Sequence, residues 1–153
     1  IKETGCGFSK QTLEKLNEAG VKFVDLSGLG GTHWGRIEGE RSTPNSQLHR
    51  ASKVFADWGI STVDSLLNAR EIGPKFQIWA SGGVRSGLDG AKFIAMGAKM
   101  VGIAKPMLEA ALESEENLIQ AMNQFELELK IAMFCCGAVN LRQLQENQVW
   151  QKN

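Results

Sequence analysis

At 153 residues the chain can bury one hydrophobic core and is short for two domains. Seventeen Lys and Arg balance seventeen Asp and Glu, with no basic or acidic block, which argues against a nucleic-acid or acidic-membrane partner. No apolar run approaches the roughly eighteen residues of a membrane span, no signal-peptide pattern opens the chain, and three cysteines outside any CxxC fit a reduced cytoplasmic setting.

Taken in order, Ile1-Lys2-Glu3-Thr4-Gly5 reads as the end of a strand already under way, which suggests a fragment. Ser9 is placed to cap a helix over 10–19, with Leu13 and Leu16 inward and Gly20 as its stop. Val21–Leu26 is predicted as a strand ending in Ser27-Gly28. The next stretch, 29–35, is too rich in glycine for helix or strand. Residues 37–46 continue as a polar loop with Pro44, long enough to suggest a lid. Helices follow over 47–56 and, capped by Ser61 with Asp64, to about Glu71. Leu118, Met122, Phe125, Leu129 and Ala132 recur at steps of three and four, predicting a long amphipathic helix over 113–136. Glu115 and Glu116 suit the positive end of its dipole. A short helix over 141–145 and a loose polar tail close the chain.

The central stretch is 78–105. Apolar Ile78–Ala80 ends in Ser81-Gly82-Gly83, a helix runs over 86–96, and a second apolar run, Met100–Ala104, closes on Lys105-Pro106. Strand, glycine turn, helix and strand make a βαβ unit with parallel strands. Paired glycines at a strand end let backbone N–H groups approach an anion, and a helix N-terminus adds partial positive charge. In eightfold βα barrels the usual phosphate site lies after the last two strands and uses a short extra helix, whose first turn suits Pro106. Four strand–helix units, opened by Ile1, Val21, Ile78 and Met100, amount to half of such a barrel.

Candidate chemistry falls at strand ends. Lys2 sits where the first strand meets its loop, where an ammonium can stabilise negative charge developing on an electron-rich ring; its plainer reading is a solvated lysine. Ser27 to Thr32 offers hydroxyls and bare backbone but is not a dinucleotide fingerprint, because His33 takes the last glycine position. His33 reads as a solvent-facing histidine before a general base. Trp34 can cover an apolar ligand group and Glu38 can serve acid–base or metal chemistry, against packing and solvation as plain alternatives. Cys6 reads as a small residue in a tight turn, and Arg85 and Lys105 as phosphate partners, chiefly through their backbone N–H groups. No spacing of Cys, His, Asp and Glu proposes a metal site.

Lys2-Glu3-x-Gly5-x-Gly7, Asp25-x-Ser27-Gly28-x-Gly30-Gly31-Thr32, Asp57-Trp58-Gly59-Ile60-x-Thr62, Ala80-Ser81-Gly82-Gly83 and Gly102-x-Ala104 occur in that order. So arranged, the chain resembles the C-terminal half of the type 2, flavin-dependent isopentenyl-diphosphate isomerases. The resemblance implies an α/β fold, a (β/α)8 TIM barrel of which residues 1–153 are the last four units, one half of a single FMN-binding domain. It implies that Lys2 meets the pyrimidine edge of FMN and that Ser27 and Thr32 also touch it. Gly82, Gly83, Val84, Arg85, Ala104 and Lys105 would form the FMN-phosphate region, and Trp34 and Glu38 would border the substrate. The implied reaction interconverts isopentenyl and dimethylallyl diphosphates, with NAD(P)H reducing the flavin and Mg²⁺ on the substrate diphosphate. The family's diphosphate- and metal-binding residues belong to the other half, so no metal ligand is expected here. A homo-oligomer is implied, and the isolated chain is expected to be inactive. An FMN oxidase of α-hydroxy acids is the alternative, disfavoured because Trp34 follows His33 and the glycines precede it. A non-catalytic phosphate-binding half barrel ranks third.

Overall fold

Three parallel strands, β1 (Phe23–Asp25), β2 (Gln77–Ala80) and β3 (Met100–Val101), pair in chain order, with Val24 opposite Ile78 and Ala80 opposite Val101. The computed structural model describes residues 1–147 and 149. Ile1 to Glu3 extend the sheet beyond β1: Asp25 N donates to Ile1 O at 2.9 Å and Glu3 N to Asp25 O at 3.1 Å. Lys2 thereby becomes a single parallel bridge to Asp25, not a full strand. The four strand positions expected from the sequence are present and are shorter than predicted.

Eight helices accompany them among the described residues: α1 (Lys10–Glu18), α2 (Trp34–Arg41), α3 (Gln47–Val54), α4 (Thr62–Ile72), α5 (Gly87–Ala95), α6 (Lys105–Glu113), α7 (Glu115–Cys135) and α8 (Leu141–Glu146). Ser9, Ser46, Ser61, Ser86, Ser114 and Asn140 each cap one by accepting the N–H three residues on, leaving one fewer unpaired donor at each start. The expected loose tail falls largely on 148 and 150–153, outside the described residues.

The polar loop expected over 37–46 is instead α2, a turn, and the cap of α3. Its polar composition and Pro44 argued for a loop, and the glycines of 29–35 argued against a helix start. His33 caps α2, its ring accepting from Arg36 N at 3.2 Å. Gly39 is required by packing: a Cβ there would come within 1.8 Å of Ser52 Oγ on α3. The insertion after β1 is a helical hairpin.

Alternation along the strands divides the sheet into two faces. Val24, Leu26, Ile78 and Ala80 point to the helices and are buried with Leu13, Leu66, Phe93 and Met96. Each fully buried leucine contributes about 1.5–3 kcal/mol relative to exposure. The opposite face carries Phe23, Gln77, Trp79 and Met100; Phe23 and Met100 are 48% and 53% exposed. Helices cover one face only, the geometry of an open arc of a βα barrel whose interior is turned outward. Trp79 Nε1 is buried on that interior side with no acceptor among the described residues, and its ring lies 5.5 Å from that of Phe23.

Candidate functional site

Because the strands are parallel, their C-terminal ends share one edge, and every residue singled out from sequence lies on or beyond it. Lys2, Asp25, Ser27 and Ser81 continue the alternation of the interior face. Lys2 Nζ donates to Ser27 Oγ at 2.6 Å, Ser81 Oγ at 3.1 Å and Glu3 O at 3.2 Å, and lies 3.3 Å from Asp25 Oδ2. Asp25 Oδ1 in turn accepts from Ser81 Oγ at 2.8 Å and Ser27 N at 3.2 Å. An ammonium has three protons, so four acceptors around it leave none spare. The Lys2 side chain is still 58% exposed toward the open face. Lys2 is therefore not a freely solvated lysine but a cation tied at the sheet edge.

Two glycine loops sit beside this cluster, backbone against backbone. A Cβ on Gly31 would approach Gly83 N to 2.6 Å, and one on Gly83 would meet Gly30 C and O at 2.9 Å. Gly82 and Gly83 have φ of 95° and 83°, a region that costs other residues strain. Thr62 Oγ1 closes the turn by donating to Gly82 O at 2.7 Å. Among the described residues the N–H groups of Gly83 and Val84 find no acceptor, so this turn presents two bare donors.

The helix end that adds to them is α6, not α5. The sequence pointed to both starts, through the helix after Ser81-Gly82-Gly83 and through Pro106, but the donors of α5 are already answered. Asp89 N bonds Ser86 Oγ at 3.1 Å, Gly87 N bonds Glu128 Oε2 at 2.7 Å, and Arg85 N bonds Asp89 Oδ2 at 3.1 Å. Two carboxylates there oppose an anion. By contrast α6 begins at Ala104 with no side-chain cap and carries Pro106 in its first turn. The N–H groups of Lys105 and Met107 lack acceptors among the described residues. Since β2 and β3 are paired neighbours, the Gly83-Val84 turn and the α6 start are adjacent strand ends. Together they place unpaired backbone donors and a helix N-terminus at adjacent strand ends, an arrangement that suits an anion. The Lys105 side chain pairs with Glu109 at 3.5 Å, and the Arg85 guanidinium donates to Gly30 O at 2.9 Å; both cations brace protein groups.

Trp34 and Glu38 share Arg41. Its guanidinium lies 5.9 Å from the Trp34 ring centroid and 3.0 Å from Glu38 Oε1. Trp34 is half exposed on the first turn of α2, and its N–H reaches Thr4 O at 3.3 Å, tying the hairpin to the loop beyond Lys2. Thr32 is exposed and makes no bond to the Lys2 cluster.

His33 is buried, at 7% exposure, not solvent-facing. Nδ1 accepts from Arg36 N, so Nε2 carries the proton and donates toward Trp58 O and Cys6 Sγ, both at 3.3 Å. With neither nitrogen free, this histidine is a clamp between three loops and has no lone pair left for a base. Cys6 fills its turn as expected; burial, and after it the Glu3 carboxylate, push its thiol up from the ordinary value.

Sequence reasoning left unassigned the residues that organise the cluster. Glu3 Oε2 accepts from Gly5, Cys6 and Gly7 N–H and holds the first loop. Asp25 and Ser81 hold Lys2. Their signal was the two-residue step to Ser27 and from Trp79, which places them on one face. A cleft of about 500 Å³ between α4, α5, α7 and α8, lined by Leu67, Leu88 and Phe93, shares none of these residues. No group of three His, Cys, Asp or Glu side chains among the described residues is arranged to hold a metal.

The chain is 57% identical over 146 residues to a protein of Legionella pneumophila (strain Lens) named isopentenyl-diphosphate delta-isomerase, covering 95% of this chain and 43% of the relative. A Bdellovibrio bacteriovorus protein of that name is 53% identical, with 99% and 44% covered, and one from Nostoc sp. 44% identical, with 95% and 41% covered. The chain thus spans less than half the length of these curated relatives. Among solved structures, a lactate oxidase of Pediococcus acidilactici superposes at a TM-score of 0.69 with 19% identity, covering 96% of this chain and 35% of the oxidase. A flavocytochrome b2 variant bound to benzoylformate gives 0.65 with 22% identity, covering 96% and 34%. At that identity the likeness is one of fold, and the fold is a partial TIM barrel. The family model described as FMN-dependent dehydrogenase matches residues 8–151. By that match, and with its strand-end donors placed as they are, the chain belongs to the FMN-dependent dehydrogenase family.

Proposed function

We propose that residues 1–153 form the C-terminal half of a single FMN-binding barrel domain, in an enzyme that interconverts isopentenyl and dimethylallyl diphosphates. The observation that carries this reading is 57% identity along 95% of the chain to a relative of that name, against 16–22% for the hydroxy-acid oxidases. The residues present fit FMN. Unpaired N–H groups of Gly83, Val84, Lys105 and Met107 suit a phosphate dianion, with the dipole of α6 behind it and Ala104 at its start. Gly82 supplies the turn, and Arg85 braces the opposing glycine loop through Gly30 O. Lys2, Ser27 and Thr32 take the ring side.

Reduced FMN, when bound, supplies the proton-transfer chemistry of this reaction class. The protein's part is to hold it and to set the charge around it. Lys2 presents a cation tied by two hydroxyls, which favours negative charge developing on the ring edge nearby. Trp34 and Glu38 border the substrate, with Arg41 fixing both. NAD(P)H as reductant, Mg²⁺ on the substrate diphosphate, a cytoplasmic setting and a homo-oligomer complete the reading; no helix among the described residues is long and apolar enough to cross a membrane. Substrate-diphosphate and metal ligands come from the other half of the barrel.

The test is a chimaera in which this chain replaces the matching stretch of the Legionella relative. With dithionite-reduced FMN it is expected to convert isopentenyl to dimethylallyl diphosphate, and the 153-residue chain alone is expected to convert none. A chimaera that binds FMN and oxidises lactate or mandelate without isomerising the diphosphate overturns the reading.

A further inference from the structure

The Lys2 cluster contains a charge that the proposed function does not use. Asp25 is mostly buried, with its side chain 15% exposed, whereas the lysine it faces is 58% exposed. Its two oxygens are divided: Oδ2 faces the ammonium at 3.3 Å, while Oδ1 accepts from the Ser81 hydroxyl and the Ser27 N–H. Each serine therefore touches both charged groups, since each hydroxyl also accepts a hydrogen bond from Lys2. The ammonium is nearer to Ser27 Oγ, at 2.6 Å, than to the carboxylate. Hydroxyls hold the cation in place, and the carboxylate mainly cancels part of its charge.

Nothing about packing requires an acid here. Asp25 is paired with Trp79 on the interior face, and an amide of the same shape could still accept from Ser27 N and Ser81 Oγ, though it would turn its NH2 toward Lys2 Nζ. What a carboxylate at this position provides and an amide cannot is a negative charge, which lowers the net charge presented to whatever binds over Lys2. Resting on the reading that FMN occupies this edge, we propose that Asp25 is a positioning residue and charge counterweight for Lys2. It keeps the cation from over-stabilising anionic reduced flavin, and so sets the balance between the two flavin oxidation states. Its action runs through Lys2 and through its own field.

The balance is read by binding. In the Legionella chimaera, the Kd for oxidised FMN is divided by the Kd for dithionite-reduced FMN, measured anaerobically by fluorescence. A merely structural residue would weaken both forms alike and leave the ratio unchanged. For Asp25→Asn the ratio is expected to rise about tenfold, the size of one partly screened charge pair. Asp25→Glu, which restores the charge, is expected to bring it back to within about twofold of the parent. Ser81→Ala keeps both charges but removes the hydroxyl that occupies Oδ1. The freed carboxylate then holds Lys2 harder, and the ratio is expected to fall.

A ratio that is unchanged or lowered in Asp25→Asn overturns the counterweight. If Asp25→Asn does not fold, an unchanged or raised ratio in Ser81→Ala overturns it instead. A parent chimaera that binds neither form of FMN, while the Legionella relative binds both, overturns the underlying flavin reading and this inference with it.

Discussion

Gly87 and Phe125 stand so close that no side chain fits between them: a Cβ on Gly87 would lie 2.2 Å from Phe125 O and 2.5 Å from Leu129 N. This contact fixes how α7 lies across α5, and so how α6, which leads into α7, is set at the end of β3. The proposed phosphate site depends on it, because the N–H groups at the start of α6 can serve that site only where the Gly83-Val84 turn shares a ligand with them.

The contact predicts a graded pair of substitutions. Gly87→Ala drives a methyl into the backbone of α7, which cannot yield without moving the helix. At Gly90 the neighbour is the Phe125 ring, with Cζ at 2.8 Å, which can rotate or shift. We expect Gly87→Ala to cost about 2–3 kcal/mol and Gly90→Ala about half that. Urea unfolding of the two chimaera variants checks the order; equal midpoints would contradict it.

Glu128 accepts from Gln124 and then from Gly87 N–H, and these bonds hold its carboxyl below the ordinary value. A lowered folded-state value means stability that is present above the unfolded value of about 4.3 and lost as pH falls through the lower folded one. Acid unfolding of the parent is therefore expected to steepen below that point. Glu128→Gln is expected to remove this part of the pH dependence, measured as melting temperature against pH between 3 and 7.

Cys6 is predicted to be a poor nucleophile. Its thiol is raised by burial and by Glu3, so the thiolate fraction at neutral pH lies below that of an ordinary cysteine. In a background with Cys135 and Cys136 replaced by serine, the alkylation rate of Cys6 is expected to inflect at a pH above that of a free thiol. The raised value favours the folded state below the unfolded value and stops doing so as pH climbs through the folded one. An inflection below the free thiol would point to a reactive centre at the His33 clamp.

Much of this was legible in the sequence, for identifiable reasons. Ser-Gly-Gly after an apolar run, and Pro106 after another, are backbone signals, and backbone geometry is what they specify. The Ser9 and Ser61 caps located the starts of α1 and α4 to the residue. The α2 helix was not legible, because it is held by contacts between distant residues. His33 reaches Cys6 and Trp58, and Gly39 makes room for Ser52; neither leaves a periodic trace. The hidden role of Asp25 has the same origin. Its neighbours Ser27 and Ser81 are far apart in sequence and meet only through strand pairing. Likewise, that the α5 start is closed depends on Glu128, forty-one residues beyond Gly87.

On the function proposed above, backbone donors at two adjacent strand ends grip the phosphate of a flavin. The direct measurement is a paired titration of the chimaera with FMN and with riboflavin, which differs by lacking the phosphate. The account predicts binding of FMN at least about 100-fold tighter, as two or more charge-assisted hydrogen bonds at about 1.5–3 kcal/mol each require. The Gly83→Ala variant should lose most of that preference. Equal affinity for the two flavins in the parent would contradict the proposed phosphate site, whatever activity the chimaera retained.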